Sequence, residues 1–173
     1  HFWDIDDPYL YNIETELRVD GKLTDTYTTT TGVRTFRFDA EKGFFLPRNY
    51  DGSWIDLDDH SRHGLTEGSK WTYLFCVLQD IPGMIDMMGG EKAFSAKLDR
   101  NFEEDHYRHD NEPGHHYIYL YNYCNEPWKT QELARKHVRI NYKNSPDGVN
   151  GNDDCGQMSA WYLFSAMGFY PVC

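Results

Sequence analysis

The sequence predicts a mixed fold, in which a short antiparallel β segment precedes an all-α segment. Residues 10–38 alternate between apolar and polar positions, whereas helical spacing and longer apolar runs dominate after residue 47. A chain of 173 residues is long enough for one ordinary domain or for pieces of two. We therefore predict part of a β-sandwich over residues 1–47 and part of a helical barrel over residues 48–173.

The β segment is predicted from alternation and from turn residues. The first strand, over residues 10–19, carries apolar side chains of one parity: Tyr11, Ile13, Leu17 and Val19. That pattern is typical of a half-buried strand. Asp20-Gly21 then predicts a hairpin turn, followed by a Thr-rich return strand over residues 23–31 and a third strand over residues 33–38.

After residue 47 the sequence predicts successive helices that are joined by polar loops. The predicted helices cover residues 69–78, 91–102, 115–123, 129–142 and 157–167. We expect the first of them to be buried and to end before Pro82, and the last to end at Gly168, a residue suited to a left-handed C-terminal cap. Helices in such an arrangement form a scaffold, with the chemistry at one rim.

Composition excludes several classes of function. The net charge of −11 argues against nucleic acid and against an anionic membrane surface as partners. No apolar run reaches the roughly 18 residues of a membrane span, and we recognise no targeting signal in a chain that begins at His1. The four cysteines have no metal-type spacing and leave the redox compartment open.

Four loop motifs carry the residues that are suited to chemistry. They are Thr66-Glu67-Gly68, Asn111-Glu112-Pro113, His115-His116 and Asn152-Asp153-Asp154. Carboxylates in separate loops are compatible with glycoside hydrolysis, in which one acid protonates the leaving oxygen and a second carboxylate acts on the other face. The same residues are also compatible with a metal site, since Asn and Glu oxygens suit Ca²⁺. Zn²⁺ is disfavoured, because adjacent His side chains on a helix diverge by about 100°.

Residues 48–173 resemble glycoside hydrolase family 92, the calcium-dependent exo-acting α-mannosidases. The matching motifs run in family order: Asp51-Gly52-Ser53-Trp54, Thr66-Glu67-Gly68, Gly83-Met84-Ile85-Asp86-Met87-Met88-Gly89-Gly90, Asn111-Glu112-Pro113-Gly114-His115-His116, Tyr119-Leu120-Tyr121-Asn122-Tyr123, Pro127-Trp128-Lys129-Thr130-Gln131 and Gly151-Asn152-Asp153-Asp154-Cys155-Gly156-Gln157-Met158-Ser159-Ala160-Trp161-Tyr162. The resemblance implies that the helical segment is part of an (α/α)₆ barrel.

Residues 1–46 resemble glycoside hydrolase family 2, which contains β-galactosidases. The matching motifs are Phe2-Trp3-Asp4, Asp7-Pro8-Tyr9-Leu10-Tyr11, Gly32-Val33-Arg34 and Gly43-Phe44-Phe45-Leu46. This resemblance implies the end of an immunoglobulin-like sandwich. The catalytic residues of that family lie far downstream and are absent, so we expect no β-galactosidase chemistry from this segment.

The resemblance to family 92 implies individual roles. Glu67 matches the general acid and Asp154 the general base, with Asn152 beside it where relatives often carry Asp. Asn111 and Glu112 match Ca²⁺ ligands, together with the backbone carbonyl of Arg108. Residues that the resemblance places second, as candidates for lining the site of a mannose-containing glycan, are Trp71, His115, His116, Gln157 and Asp153.

Two expectations remain in competition. The first is an inverting exo-α-mannosidase, exported to the periplasm or outside the cell by analogy with the family. The second is an inactive truncated or fused glycosidase fragment with at most weak calcium or sugar binding. One physical conflict accompanies the first, because a helix N-terminus near Glu67 favours the ionised carboxylate, whereas a general acid must carry its proton.

Overall fold

The computed structural model describes residues 9–32, 37–49, 51–58 and 60–172. The chain divides into two compact units, each built from two stretches of sequence. The first contains residues 1–38 and 46–56, and the second contains residues 39–45 and 57–173. The boundary predicted after residue 47 stays a prediction.

The first unit contains the predicted hairpin. Strands β1 (Tyr11–Val19) and β2 (Lys22–Thr31) pair antiparallel, with an irregularity in register between Leu17 and Arg18. Asp20 and Gly21 connect them with positive φ angles of 50° and 77°. Because only short polar residues and glycine adopt such angles readily, the Asp-Gly pair accounts for the tight turn, and the prediction of this hairpin is confirmed.

The described residues do not provide the burial that is expected for β1. Ile13 is 50% exposed and Leu17 is 57% exposed, so the apolar parity lacks a covering layer in the part of the chain that the structure describes. Residues 33–36 of the third predicted strand lie outside the described residues. The strand that follows, β3 (Arg37–Asp39), pairs with β4 (Phe44–Leu46) instead of extending the hairpin. The immunoglobulin-like sandwich stays a prediction.

The second unit is helical. Its α-helices are α1 (Lys70–Tyr73), α2 (Ile81–Met87), α3 (Glu91–Glu103), α4 (Pro127–Asn141) and α5 (Gln157–Met167). Short 3₁₀ helices occupy Leu78–Asp80, Glu112–Gly114 and Tyr117–Cys124. The predictions for α3, α4 and α5 are confirmed to within two residues at their ends, and Gly168 caps α5 with a φ of 87°.

The predicted helix over residues 69–78 is wrong in its length, because side chains from a distant segment bind its backbone carbonyls. The hydroxyl of Tyr117 donates to the carbonyl of Thr72 at 2.5 Å, and Nε2 of His116 donates to the carbonyl of Phe75 at 2.9 Å. α1 therefore ends after one turn. Pro82 does not end a helix either. It lies in the first turn of α2, where a missing N–H is tolerated and Asp80 caps the helix at Gly83 N, 2.9 Å away.

The core of the second unit lies around the aromatic segment 117–124. α3 and α4 pack against this segment, and Phe75, Phe94, Ile118 and Trp161 are fully buried. The buried character predicted for residues 115–123 is confirmed for residues 115–121, whereas Asn122 and Tyr123 are exposed. The segment Tyr117–Cys124 forms a 3₁₀ helix. In the described ranges no helix is both long and apolar enough to cross a membrane. Closure into an (α/α)₆ barrel stays a prediction.

Because His137 is buried in this core, the stability of the fold depends on pH. Burial, with Lys136 nearby, lowers the pKa of His137 from 6.5 to about 4. Between pH 6.5 and about 4 the unfolded chain binds a proton at this ring, whereas the folded chain does not. The contribution of neutral His137 to the unfolding free energy is therefore present above pH 6.5 and is lost as the pH falls towards 4. We expect His137 alone to remove about 2 kcal/mol of unfolding free energy between pH 6.5 and pH 5.

Urea unfolding at pH 7 and pH 5 measures this loss. His137→Gln should reduce the loss by that amount, whereas His63→Gln, at an exposed position, should leave the loss unchanged. An equal loss in wild type and His137→Gln would contradict the prediction.

Candidate active site

Three loops of the helical unit carry the candidate acid, base and metal ligands, and the loop of the candidate metal ligands is in contact with the other two. The side-chain nitrogen Nδ2 of Asn111 donates to the backbone carbonyl of Glu67 at 3.4 Å. The backbone of Gly151 approaches Asp110 so closely that a Cβ at position 151 would lie 2.9 Å from Cβ of Asp110. The segment around Asp110 and Asn111 is therefore in contact with the loops of both candidate carboxylates.

The loop of Glu67 is held by α1. Gly68 lies against Thr72, where an added Cβ would come within 2.6 Å of its side chain, and the hydroxyl of Tyr73 donates to the carbonyl of Thr66. The N-terminus of α1 is capped by Ser69, whose backbone N–H in turn donates to Thr72 Oγ1 at 3.0 Å. Glu67 itself is exposed and takes no part in capping. Packing and capping thus fix the backbone of this loop, while the Glu67 side chain is exposed.

The candidate metal ligands lie on a compact loop. A Cβ at Gly114 would come within 2.8 Å of the carbonyl oxygen of Arg108, so only glycine permits this close return of the chain. The Arg108 guanidinium pairs with Asp110 and holds the pKa of that carboxyl below its usual range. Asn111 and Glu112 are partly buried, and neither the amide oxygen of Asn111 nor the Glu112 carboxylate has a hydrogen-bond partner among the described residues.

The oxygen ligands that this loop offers suit a hard cation, which binds uncharged oxygens as well as carboxylates. The segment offers a backbone carbonyl, an amide oxygen and one carboxylate, which are ligand types of Ca²⁺. Across the described ranges no group of three His, Cys, Asp or Glu side chains is placed to hold a metal ion. A site here therefore depends on the carbonyl of Arg108 and the amide of Asn111 rather than on a cluster of charged groups.

The Asp153-Asp154 pair is divided between two tasks. Asp153 caps α5: its carboxylate accepts from the backbone N–H and from the hydroxyl of Ser159, both at 2.8 Å. These hydrogen bonds, with the backbone bond first, lower the pKa of Asp153. Asp154 is exposed, and its carboxylate has no hydrogen-bond partner in the described part of the chain. Asn152, the neighbour before the pair, is exposed as well.

Both candidate catalytic carboxylates stand on left-handed backbone. Glu67 has a φ of 55°, and Asp154 has a φ of 39°, followed by Cys155 at 57° and Gly156 at 87°. Asp tolerates this conformation, because its short polar side chain can bond the local backbone. Glu and Cys do not, and the left-handed conformation costs each of them about 1–2 kcal/mol of conformational free energy. Strain of this kind is held by the surrounding structure and is typical of functional sites.

The residues expected to line a sugar site are mostly in the core. Trp71 has no exposed surface; its ring stacks on His106 at 4.3 Å and meets the edge of Phe44 at 4.8 Å. His115 and His116 are buried, and burial lowers the pKa of each. In the chain as described these side chains support the loops and offer no open face to a ligand.

Sequence reasoning passed over a buried network that lies behind the candidate site. His109 bonds through Nδ1 to the hydroxyl of Tyr107 at 2.8 Å and through Nε2 to the hydroxyl of Tyr142 at 3.0 Å. Gln157 Nε2 donates to Nδ1 of His115 at 3.2 Å. The only sequence signal was the high density of His between residues 106 and 116.

Comparisons with known proteins show the family to which this chain belongs. The sequence profile described as the glycosyl hydrolase family 92 catalytic domain matches residues 4–173. The chain belongs to glycoside hydrolase family 92. An uncharacterised secreted glycosidase of Arthroderma benhamiae is 29% identical over 143 residues, which cover 75% of this chain and 18% of that protein.

Solved structures of family 92 resemble this chain in fold. A family GH92 α-mannosidase of Bacteroides thetaiotaomicron, solved with mannoimidazole, is 39% identical at a TM-score of 0.70 and matches 78% of this chain and 21% of its own. A family GH92 inverting mannosidase of the same organism is 35% identical at a TM-score of 0.68, over 79% of this chain and 22% of its own. The family 92 chain thus spans about one fifth of the length of these relatives.

A short stretch also matches the second family. A β-galactosidase of Bacteroides ovatus is 52% identical over 44 residues, which cover 25% of this chain and 5% of that protein. This match bears out the resemblance to family 2.

Asp153 and Asp154 allow a paired test of their division of tasks. Asp153→Asn replaces an accepting oxygen by a donor at the cap of α5, and we expect the thermal midpoint to fall by about 3 °C. Asp154→Asn makes the same chemical change one residue later, where no bond is lost, and should leave the midpoint unchanged. Differential scanning calorimetry of both variants decides, and equal shifts would refute the assignment.

The strain at Glu67 generates a second prediction. Glu67→Gly relieves the left-handed backbone, whereas Glu67→Ala removes the same carboxylate and keeps the strain. We expect the glycine variant to be more stable than the alanine variant by about 1 kcal/mol in urea unfolding. An alanine variant as stable as the glycine variant would show that position 67 is not strained.

Proposed function

We propose that this family 92 chain carries part of the active site of an inverting, exo-acting α-mannosidase that removes terminal α-linked mannose from glycans and depends on Ca²⁺. The observation that carries the proposal is the contact of the Asn111 loop with the loops of Glu67 and Asp154. Family membership and the mannosidases among the similar structures support the choice of substrate.

Glu67 is assigned the role of general acid, which protonates the departing glycosidic oxygen. The conflict with a helix dipole is reduced, since α1 has only four residues and Ser69, not Glu67, caps it. The exposed position of Glu67 leaves its carboxyl group accessible to a leaving group. A general acid also has to be shielded from water, and at this exposed position substrate and the remainder of the enzyme would have to provide the shielding.

Asp154 is assigned the role of general base, which takes a proton from the attacking water. Because Asp153 bonds the N-terminus of α5, Asp154 does not have to cap the helix and its lone pairs remain available. Inversion requires a separation of roughly 6.5–9.5 Å between the two carboxyl groups, which leaves room for that water.

The carbonyl of Arg108, the amide oxygen of Asn111 and the carboxylate of Glu112 would hold Ca²⁺. When bound, the ion supplies positive charge that binds hydroxyl groups of the terminal sugar. The ion pair of Arg108 with Asp110 fixes the start of this loop, and Gly114 fixes its return. Secretion, by analogy with the Arthroderma relative, would expose this loop to the higher calcium levels outside the cell.

A non-catalytic fragment is the second candidate, and it is favoured by uncovered apolar surface. Leu163 and Met167 on α5 are 58% and 61% exposed, as are several apolar side chains of the hairpin. Surface of this kind marks contacts with further protein. This alternative predicts weak calcium or sugar binding without turnover.

Calcium titration into the metal-stripped chain by calorimetry is the first test. We expect saturable binding in the range of roughly 10⁻⁴ M, since the site has a single carboxylate. Asn111→Ala/Glu112→Ala should abolish it, while Asn122→Ala/Glu132→Ala, at exposed positions, should leave it unchanged. Absence of binding by the wild type would remove the calcium assignment.

Release of mannose from an aryl α-mannoside then separates the two candidates. Catalysis that falls by about 10²- to 10⁴-fold in Glu67→Gln and in Asp154→Asn supports the mannosidase. Calcium binding without release of mannose, by a chain that unfolds cooperatively, supports the non-catalytic fragment.

A further inference from the structure

The two halves of the candidate site belong to distant segments, and Tyr142 lies between them. Residues 108–112 carry the candidate metal ligands, whereas residues 152–154 precede α5. Tyr142 directly follows α4, with an extended backbone conformation at the C-terminal cap of that helix. Its ring stacks parallel to Trp161, with centroids 5.9 Å apart, and meets His109 edge-on at 5.6 Å.

The hydroxyl of Tyr142 bonds to both halves. It donates to the backbone carbonyl of Met158, in the first turn of α5, at 3.0 Å. It also lies 3.0 Å from Nε2 of His109, in the loop of the candidate metal ligands. A carbonyl can only accept, so the single proton of the hydroxyl is used on Met158 and the oxygen must accept from His109.

This requirement fixes the direction of every hydrogen bond in the series from Tyr107 through His109 and Tyr142 to Met158. His109 must carry its proton on Nε2, and its Nδ1 then accepts from the hydroxyl of Tyr107 at 2.8 Å. Burial raises the pKa of Tyr142, which agrees with a hydroxyl that keeps its proton.

A second connection runs parallel to the first. Nε2 of His115 donates to the carbonyl of His109 at 3.0 Å, so Nδ1 of His115 is the acceptor for Gln157, 3.2 Å away. Gln157 also donates to the hydroxyl of Tyr170 at 3.0 Å. The first turn of α5 is thus bound to the loop of His109 at two points, through Tyr142 and through His115.

We propose that Tyr142 is a positioning residue, which fixes the loop of residues 108–112 relative to the turn of Asp154 through a directed series of hydrogen bonds. The inference rests on the proposed function for its catalytic meaning. Tyr142 touches neither substrate nor reacting atoms. It acts through His109 on one side and through the carbonyl of Met158 on the other.

The experiment compares Tyr142→Phe with Tyr119→Phe in the whole chain. Tyr119 is a matched control: it belongs to the same buried aromatic cluster, and its hydroxyl bonds Ser165 at 2.5 Å without reaching the site loops. Hydrogen exchange by NMR reports on the backbone N–H groups of His115 and Gln157, which bond Glu112 and Asp154 at 3.0 and 3.2 Å. We expect exchange about tenfold faster at both amides in Tyr142→Phe only.

Nitrogen-15 spectra of the histidine rings supply a second readout that needs no variant. A protonated Nε2 and an unprotonated Nδ1 at His109 are expected in the wild type. The opposite tautomer, or exchange that is equally fast in both variants or unchanged in Tyr142→Phe, would overturn the inference. Calcium titration is independent of these readouts: a wild type that binds no calcium refutes the proposed ligands, and the exchange comparison still decides the role of Tyr142.

Discussion

A buried hydrogen bond joins α5 to the segment that begins at His115. The indole nitrogen Nε1 of Trp161 donates it to the backbone carbonyl of His115 at 2.9 Å. Trp161 is fully buried, so an unpaired N–H there would cost about 1–3 kcal/mol. The bond fixes where α5 lies along the segment that begins at His115. The ring of His109 meets the indole at 4.4 Å, and the packing of the site loop depends on the same contact. Apolar burial alone would hold α5 close, but the bond sets its register.

A capped helix N-terminus adjoins a residue on left-handed backbone at two places in the candidate site, at α1 and at α5. Ser69 caps α1 two residues after Glu67, and Asp153 caps α5 immediately before Asp154. In each case one residue satisfies the helix terminus, and a neighbour on left-handed backbone carries a carboxylate that has no hydrogen-bond partner among the described residues. The helix thereby supplies a fixed backbone at which the strain is held.

Local patterns were sufficient for the hairpin at Asp20-Gly21 and for α3, α4 and α5, because turn chemistry and helical spacing act within a few residues. They failed for residues 69–78, where hydroxyl and imidazole groups of Tyr117 and His116, more than 40 positions away, bind the carbonyls that a longer helix would use. The same limit applies to the site. Motif resemblance named Glu67, Asn111 and Asp154, but only the packing of the chain could place Trp71 in the core and Tyr142 behind the loops.

Asn111 connects the loop of the proposed metal ligands and the loop of Glu67 through a single side chain. Its nitrogen donates to the carbonyl of Glu67, and an amide that donates in one direction presents its oxygen in another. In the proposed site that oxygen is the atom available to a cation. Fixing the oxygen therefore also fixes the nitrogen, and with it the backbone of Glu67, the proposed general acid. Occupancy by a cation and the orientation of Glu67 are then linked, so removal of metal should disturb protonation of the leaving group as well as binding of the sugar.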